Sequence, residues 1–275
     1  VEKVVVVDSL STDQTRAIAQ GLGAEVYQNP WPGNQALQFN WALDQVPLAT
    51  EWVLRLDADE YLLPELVEEI RQVLPYLPAQ VTGLFLRRRV HFMGRWIRHG
   101  GYYPTKILRI WRRSAGRLEE KWMDEHVKLD YGQPITLKHD FVDDNLNNLT
   151  WWTQKHNQYA TREAVELLNL EFGFLRTEQI EKRLFGSQEQ RKRWLKEFFY
   201  TKIPLFARPL IYFLYRYFGR LGFLDGTKGL MWHFLQGFWY RFLVDAKVYD
   251  IKRRAAQGGR SVKSVVEEYL GTRLP

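Results

Sequence analysis

With 275 residues and 45% apolar side chains, the chain can fold as one large domain or as a domain with an appendage, and it is not disordered. Cysteine is absent, which excludes a disulfide framework and a thiolate metal site and fits a reducing compartment. The net charge of +7 is uneven: residues 1–186 hold 22 Lys and Arg against 25 Asp and Glu, whereas residues 187–260 hold 15 against 5.

Val4 to Val7 is a β-branched run that stops at Asp8, the pattern of a buried parallel strand with polar chemistry at its carboxyl end. Ser11 and Gln14 have capping-box spacing, so a helix is predicted from about Thr12 to Gly21 or Gly23. Ala24 to Tyr27 reads as a second strand, Asn34 to Gln45 as a helix and Glu51 to Leu56 as a third strand. This βαβαβ rhythm predicts a parallel sheet, in which ligands sit beyond the carboxyl ends of the strands. Asp8 falls there. So do Asp57 and Asp59, placed on one side of the backbone by the period of two. A sparse carboxylate pair of this kind suits Mg²⁺ or Mn²⁺, which complete their shells with water and phosphate oxygens. Acidic residues at loop starts also serve as solvated groups or helix caps. An EF-hand is a poor reading, because Glu60-Tyr61-Leu62 supplies neither the glycine turn nor the spaced oxygens that loop requires.

Taken together, Val5 to Thr15, Gln28-Asn29-Pro30-Trp31 with Gly33, Gln38 to Ala42 and Leu56 to Glu60 resemble glycosyltransferase family 2. The similarity is closest to the bacterial branch that builds lipopolysaccharide core and exopolysaccharide. The four motifs occupy roughly the first 60 residues in the family's order. A looser likeness continues through Gly94 to Gly101 and Asp124-Glu125-His126. The resemblance implies an α/β chain with the GT-A fold, a Rossmann-like nucleotide-sugar-binding sheet. It also implies that Asp8 reads the nucleobase, usually uracil, that Asp59 binds the divalent ion, and that Asp57 lies near the ribose or a metal-bound water. The Asp124/Glu125 pair matches the position of the general base, Asp124 slightly ahead of Glu125, and the sequence does not decide between them. The family's usual first strand and helix do not precede Val1, so the catalytic domain is expected to be N-terminally truncated.

Val81 to His91 and Thr105 to Trp111 read as further strands, the first carrying Arg87, Arg88 and Arg89. The loop between them mixes Arg95, Trp96, Arg98, His99, Tyr102 and Tyr103 with Gly100 and Gly101. Aromatic faces stack on sugar rings and arginine binds phosphate bidentately, which makes Trp96 and His99 candidates for holding a lipid-linked or phosphorylated glycan acceptor. The competing account is a solvated basic strand edge. His139, after the short apolar run Pro134 to Leu137, is a candidate metal ligand, although a lone histidine is more often structural. Thr150 to Asn169 reads as a helix with Trp152, His156, Tyr159 and Glu163 on one face, either closing over the site or docking the helical region.

The C-terminal region joins its positive charge to a concentration of Trp, Tyr and Phe. Such a mixture describes an interfacial membrane surface, with buried core aromatics as the plain alternative. The longest uncharged run there, Gly229 to Tyr240, has 12 residues, short of the roughly 20 needed to cross a bilayer. Nucleic-acid binding has no recognition motif behind it.

The chain therefore reads as a GT-A-like catalytic domain over residues 1–145 followed by a helical, membrane-associating region over residues 146–275. The expected activity is metal-dependent, inverting transfer of a sugar from a nucleotide donor, UDP above all, to a glycan or lipid-linked acceptor of the cell surface. The expected location is the cytoplasmic face of the bacterial inner membrane. The alternatives are a nucleotidyltransferase of similar sheet topology and a non-catalytic membrane adaptor.

Overall fold

The computed structural model describes residues 1–119, 126–174, 203–272 and 274. They form two compact units, Val1–Val90 with Pro104–Asp144, and His91–Tyr103 with Asn145–Pro275. The segment of residues 91–103, which lies between two strands of the first unit in sequence, belongs to the second.

In the first unit, β1 (Val5–Asp8) and β2 (Glu25–Gln28) pair in parallel across helix α1 (Thr15–Gly21), with Asp8 opposite Gln28. The helix starts later than the Ser11–Gln14 spacing predicts. The Asp8 carboxylate accepts the Ser11 N–H at 3.1 Å, and Asp13 accepts the Thr15 N–H at 2.9 Å. These bonds hold residues 11–14 in turns, where Asx geometry competes with helix. Helix α2 (Gln35–Gln45) begins as expected, because the Asn34 side chain accepts the Ala36 and Leu37 N–H groups.

The expected parallel sheet stops at β1 and β2. Strand β3 (Trp52–Leu54) runs antiparallel to β7 (Thr105–Arg112), with Val53 opposite Trp111. Bonds from Arg55 N–H to the Arg109 carbonyl and from Arg113 N–H to the Glu51 carbonyl extend this ladder at both ends. The apolar Ile107, Leu108, Ile110 and Trp111 of β7 thus give β3 its partner. The main sheet runs β3-β7-β5-β10-β4, with β4 at Glu60–Leu62, β5 at Val81–Phe92 and β10 at Gln133–Asp144. Strand β6 (Arg95–Ile97) pairs with β5, and β8 (Gly116–Leu118) pairs with β9 (Val127–Leu129).

β5, with its arginine run, lies between β7 and β10. Arg88 pairs with Asp143 at 3.2 Å and Arg89 with Asp140 at 2.6 Å, both on β10. β10 itself is longer than its apolar run Pro134 to Leu137 announces. The Glu69 carboxylate of α3 (Pro64–Val73) accepts the Lys138 and His139 N–H groups, and Arg89 balances Asp140. Leu66, Leu84, Leu86, Ile110, Leu137 and Phe141 fill the core between α3 and the sheet.

In the second unit, α4 (Leu149–Phe172) is capped by Asn148, two residues before Thr150, and ends at Gly173 in the left-handed conformation. It packs through Ala160, Ala164 and Leu168 on Val244, Val248 and Ile251 of α7 (Tyr240–Gly258) and on Val265 and Val266 of α8 (Val262–Leu270). Two shorter helices, α5 (Ala207–Leu214) and α6 (Gly226–Trp232), each continue into a π-helical turn, Tyr215–Gly219 and His233–Trp239. Arg208 and Asp245 form a buried ion pair, completed by the Phe206 N–H donating to Asp245 at 2.8 Å. The Trp152-His156-Tyr159-Glu163 face of α4 packs inside this unit. Trp152 stacks on His156 at 3.5 Å, and the Tyr240 hydroxyl donates to Glu163 at 2.6 Å. No described helix is long and apolar enough to cross a membrane.

Candidate active site

The polar side chains of the first unit gather where β1, β2 and β3 end. Asp8 is buried, and besides Ser11 it accepts a bond from Gln28 Nε2 at 3.3 Å. The Ser11 bond comes first among the effects that hold its carboxyl below the usual range, against a smaller opposing effect of burial. Gln38 of α2 ties this corner together. Its amide donates to Ser9 Oγ at 3.0 Å and accepts from Asn29 Nδ2 at 2.7 Å. One turn earlier on the same helix, Gln35 Nε2 reaches Asp57 Oδ1 at 3.4 Å. The first turns of α2 therefore hold the loop after β1 and the Asp57 loop side by side.

Asp57 and Asp59 lie in the turn between β3 and β4. Asp57 sits between two arginines, with Arg55 Nη2 at 3.2 Å from one carboxylate oxygen and Arg109 Nη2 at 3.2 Å from the other. Burial works to raise its pKa, but Arg109 and Arg55 outweigh it and leave the carboxyl below its ordinary value. Glu60 accepts the Asp57 N–H at 3.0 Å and pairs with Arg109, yet burial, aided by the charge of Asp57, pushes its pKa up. Asp143, opposite Glu60 on β10, is also pushed up, by burial first and then by Asp59 and Asp57 against Arg88 and Arg109.

Burial raises both carboxyls and the nearby carboxylates add to the shift, although each group has an arginine partner. A hard divalent cation beside these carboxylates would lower the cost of their ionised forms. Among the described residues no group of three or more histidines and carboxylates is arranged to hold a metal. The chemistry that fits is one or two carboxylates, Asp59 foremost, with substrate oxygens completing the shell. Asp57 is already engaged by Arg55 and Arg109.

The other candidates fall elsewhere. His139 carries its ring against Glu69 of α3, with Nδ1 at 2.9 Å from the carboxylate. Trp96 and His99 belong to the second unit. There Trp96 meets Tyr103 edge to face at 5.0 Å, and His99 Nδ1 lies 2.7 Å from the buried Asp225. Asp124 and Glu125 lie outside the described residues. Asp143 carried no signal legible in the sequence, and nothing local announced that Arg109 and Glu60 meet there. Only the pairing of β4 with β10 and of β3 with β7 brings them together.

An α/β unit whose acidic and amide side chains collect at the carboxyl ends of its strands has the layout of a nucleotide-binding transferase domain. Residues 2–144 match the model for glycosyl transferase family 2, and the chain belongs to that family, with the GT-A fold class that membership carries. An uncharacterized glycosyltransferase of Rickettsia felis is 38% identical over 94 residues, which is 32% of this chain and 32% of that protein. A second, from Rickettsia conorii, is 39% identical over 93 residues, again 32% of each chain. The matched part of the chain thus spans about a third of the length of these relatives. The similarity to the lipopolysaccharide core biosynthesis glycosyltransferase LpsC of Rhizobium meliloti is longer, 28% identity over 270 residues, 90% of this chain and 83% of that protein.

Proposed function

We propose that this protein is an inverting glycosyltransferase that moves a sugar from a nucleotide donor, UDP-linked, to a glycan or lipid-linked acceptor during cell-surface polysaccharide assembly. The observation that carries the proposal is the grip of α2 on both polar loops, through Gln38 at Ser9 and Asn29 and through Gln35 at Asp57. A nucleoside diphosphate needs a base-reading group and a diphosphate-holding group at fixed separation, and one rigid helix supplies that fixity. The name of the Rhizobium relative, with its match along most of the chain, supports an acceptor of the same class.

In this reading Asp8 accepts hydrogen bonds from the base. Asp59, with Asp57 beside it, would hold Mg²⁺ or Mn²⁺, which when bound neutralises charge on the leaving diphosphate. Arg55 and Arg109 keep Asp57 ionised. Asp124 or Glu125 takes the proton of the acceptor hydroxyl while that oxygen attacks the anomeric carbon from the side opposite the leaving group, so the configuration inverts. Trp96 and His99 are assigned to the acceptor.

Membrane association belongs to the same proposal. Leu210, Ile211, Leu214, Tyr215 and Phe218 are exposed at the spacing of one helix face, and Leu230, Met231 and Phe234 repeat the pattern. An outward apolar stripe bordered by Arg220 and Lys228 suits the headgroup region of a bilayer at the cytoplasmic face.

Calorimetric titration with UDP and UDP-sugars, with and without Mn²⁺, tests the donor site on the native chain and on Asp59→Ala. Metal-dependent binding lost in the variant is the expected result. Binding indifferent to Asp59 would overturn the assignment.

A further inference from the structure

Within the helical unit one buried carboxylate governs how His99 is presented. Asp225 ends the turn Gly222–Asp225 ahead of α6 and is buried. One of its oxygens accepts the His99 backbone N–H at 2.9 Å, and the other faces His99 Nδ1 at 2.7 Å. An ionised carboxylate only accepts, so Nδ1 carries the ring proton and the neutral ring keeps its lone pair on Nε2.

The backbone around the pair fixes it further. The Gly100 N–H donates to the Arg220 carbonyl at 2.9 Å, and Lys228 Nζ donates to the Met93 carbonyl at 2.6 Å. Gly100 has a φ of 71°, and a Cβ there would collide with the His233 ring. A Cβ at Gly229 would collide with Asp225 itself. The segment bearing His99 and the turn bearing Asp225 therefore meet at closest backbone approach, and the ring has one orientation.

The other edge of that ring is open. The His99 side chain is 33% exposed, and Nε2 is neither buried nor hydrogen-bonded among the described residues. A carboxylate that fixes one imidazole nitrogen so that the other meets a reactant is the way histidines are oriented for work in active sites. An exposed lone pair needs a donor. Ionised phosphate and carboxylate groups have none to offer, whereas every sugar ring offers hydroxyls.

We propose, on the reading of this chain as a glycosyltransferase whose acceptor meets the helical unit, that His99 Nε2 accepts a hydrogen bond from a hydroxyl of the acceptor glycan and that Asp225 is the positioning residue that fixes the His99 tautomer. His99 touches the acceptor. Asp225 acts only through it.

Two variants of the full chain separate this role from a tie that merely holds the segment in place. In Asp225→Asn the side-chain oxygen is claimed by the His99 backbone N–H, so the amide nitrogen faces Nδ1 and donates, and the ring proton moves to Nε2. The shape is kept and the lone pair is turned inward. His99→Asn does the converse: its amide nitrogen stands where Nδ1 stood and keeps the bond to Asp225, while nothing remains in the place of Nε2.

Ring-nitrogen NMR at mildly alkaline pH reads the tautomer, with Nδ1–H expected in the native chain and Nε2–H in Asp225→Asn. Lipopolysaccharide truncated to its inner core, in detergent micelles and without donor or metal, is the acceptor probe. It should shift the His99 Nε2 resonance, and its affinity should fall roughly tenfold in both variants, the scale of one lost hydrogen bond. Affinity for UDP with Mn²⁺ should be the same in both variants as in the native chain. A native ring protonated on Nε2, a His99 resonance unmoved by the probe, or probe affinity undiminished in a folded His99→Asn protein would each overturn the proposal. Failure of the native chain to bind UDP while His99 still answers the probe would support the acceptor contact and overturn the donor site alone.

Discussion

The two units treat buried charge in opposite ways. In the second, Asp245 is fully enclosed and fully answered, by the Arg208 guanidinium and the Phe206 N–H. In the first, Asp57, Asp59, Glu60 and Asp143 gather around Arg55, Arg109 and Arg88, and Glu60 and Asp143 are pushed up by burial first, with neighbouring carboxylates adding to it. A closed pair contributes to the integrity of the fold. In the proposed function, the carboxylates of the first unit would be answered further by a bound cation. The contrast teaches which acidic residues to read as structure and which as site, even where burial alone is similar.

The sharpest way to break this comparison is Asp245→Ala. It strands the Arg208 cation in the core and removes the acceptor of the Phe206 N–H, which should lower the stability of the helical unit by about 3–5 kcal/mol. Urea unfolding followed by tryptophan fluorescence would show it. A loss below about 1 kcal/mol, the scale of an exposed pair, would mean that the pair is solvated and the contrast empty.

A smaller effect is expected from Asn34→Ala. Loss of the cap that accepts the Ala36 and Leu37 N–H groups should cost about 1 kcal/mol. Because Gln35 and Gln38 stand on the turns being loosened, affinity for UDP should fall along with the urea midpoint. Gln45→Ala, at the far end of α2, should leave UDP affinity unchanged. Equal loss in both variants would remove the special role given to the start of the helix.

The distribution of what could be read in advance follows the same division. Strands β1, β2, β5 and β7 and helix α2 announced themselves through local pattern, because alternation, β-branched runs and caps are written within a few residues. Asp8 and the Asp57-Ala58-Asp59 turn were legible for the same reason, as polar residues placed at the ends of apolar runs. What was hidden depends on pairing across distance. Asp143 ends a strand whose charged middle, Lys138-His139-Asp140, is stabilised only by Glu69 and Arg89. The antiparallel partner of β3 lies more than 50 residues away, and period alone does not name it. Gly100 and His233, 133 positions apart, meet because residues 91–103 join the helical unit, which no local pattern announces. The first helix was misjudged for a local reason: the Asp8 carboxylate captured the Ser11 N–H and so held the chain in a turn.

The smallest expected effect is also the most discriminating, and it comes from Asp143→Asn. The pKa of Asp143 is raised in the folded protein, so folding takes up protons there as pH rises above the ordinary value of 3.8. Its contribution to stability is therefore best below that value, and it declines as pH climbs through the folded pKa. Asp57 has the opposite sign. Its lowered pKa contributes stability above 3.8 that is lost as pH falls through the folded value. Replacing Asp143 by asparagine removes the first contribution and spares the second. The first unit should then become modestly more stable at neutral pH, and its urea midpoint should fall less between mildly acidic and neutral conditions. If the carboxylates are held in reserve for a cation, the same variant should bind Mn²⁺ more weakly in the presence of UDP. A variant that loses stability at neutral pH would show that Arg88 balances Asp143 completely, and the cluster would then belong with Asp245 as structure rather than site.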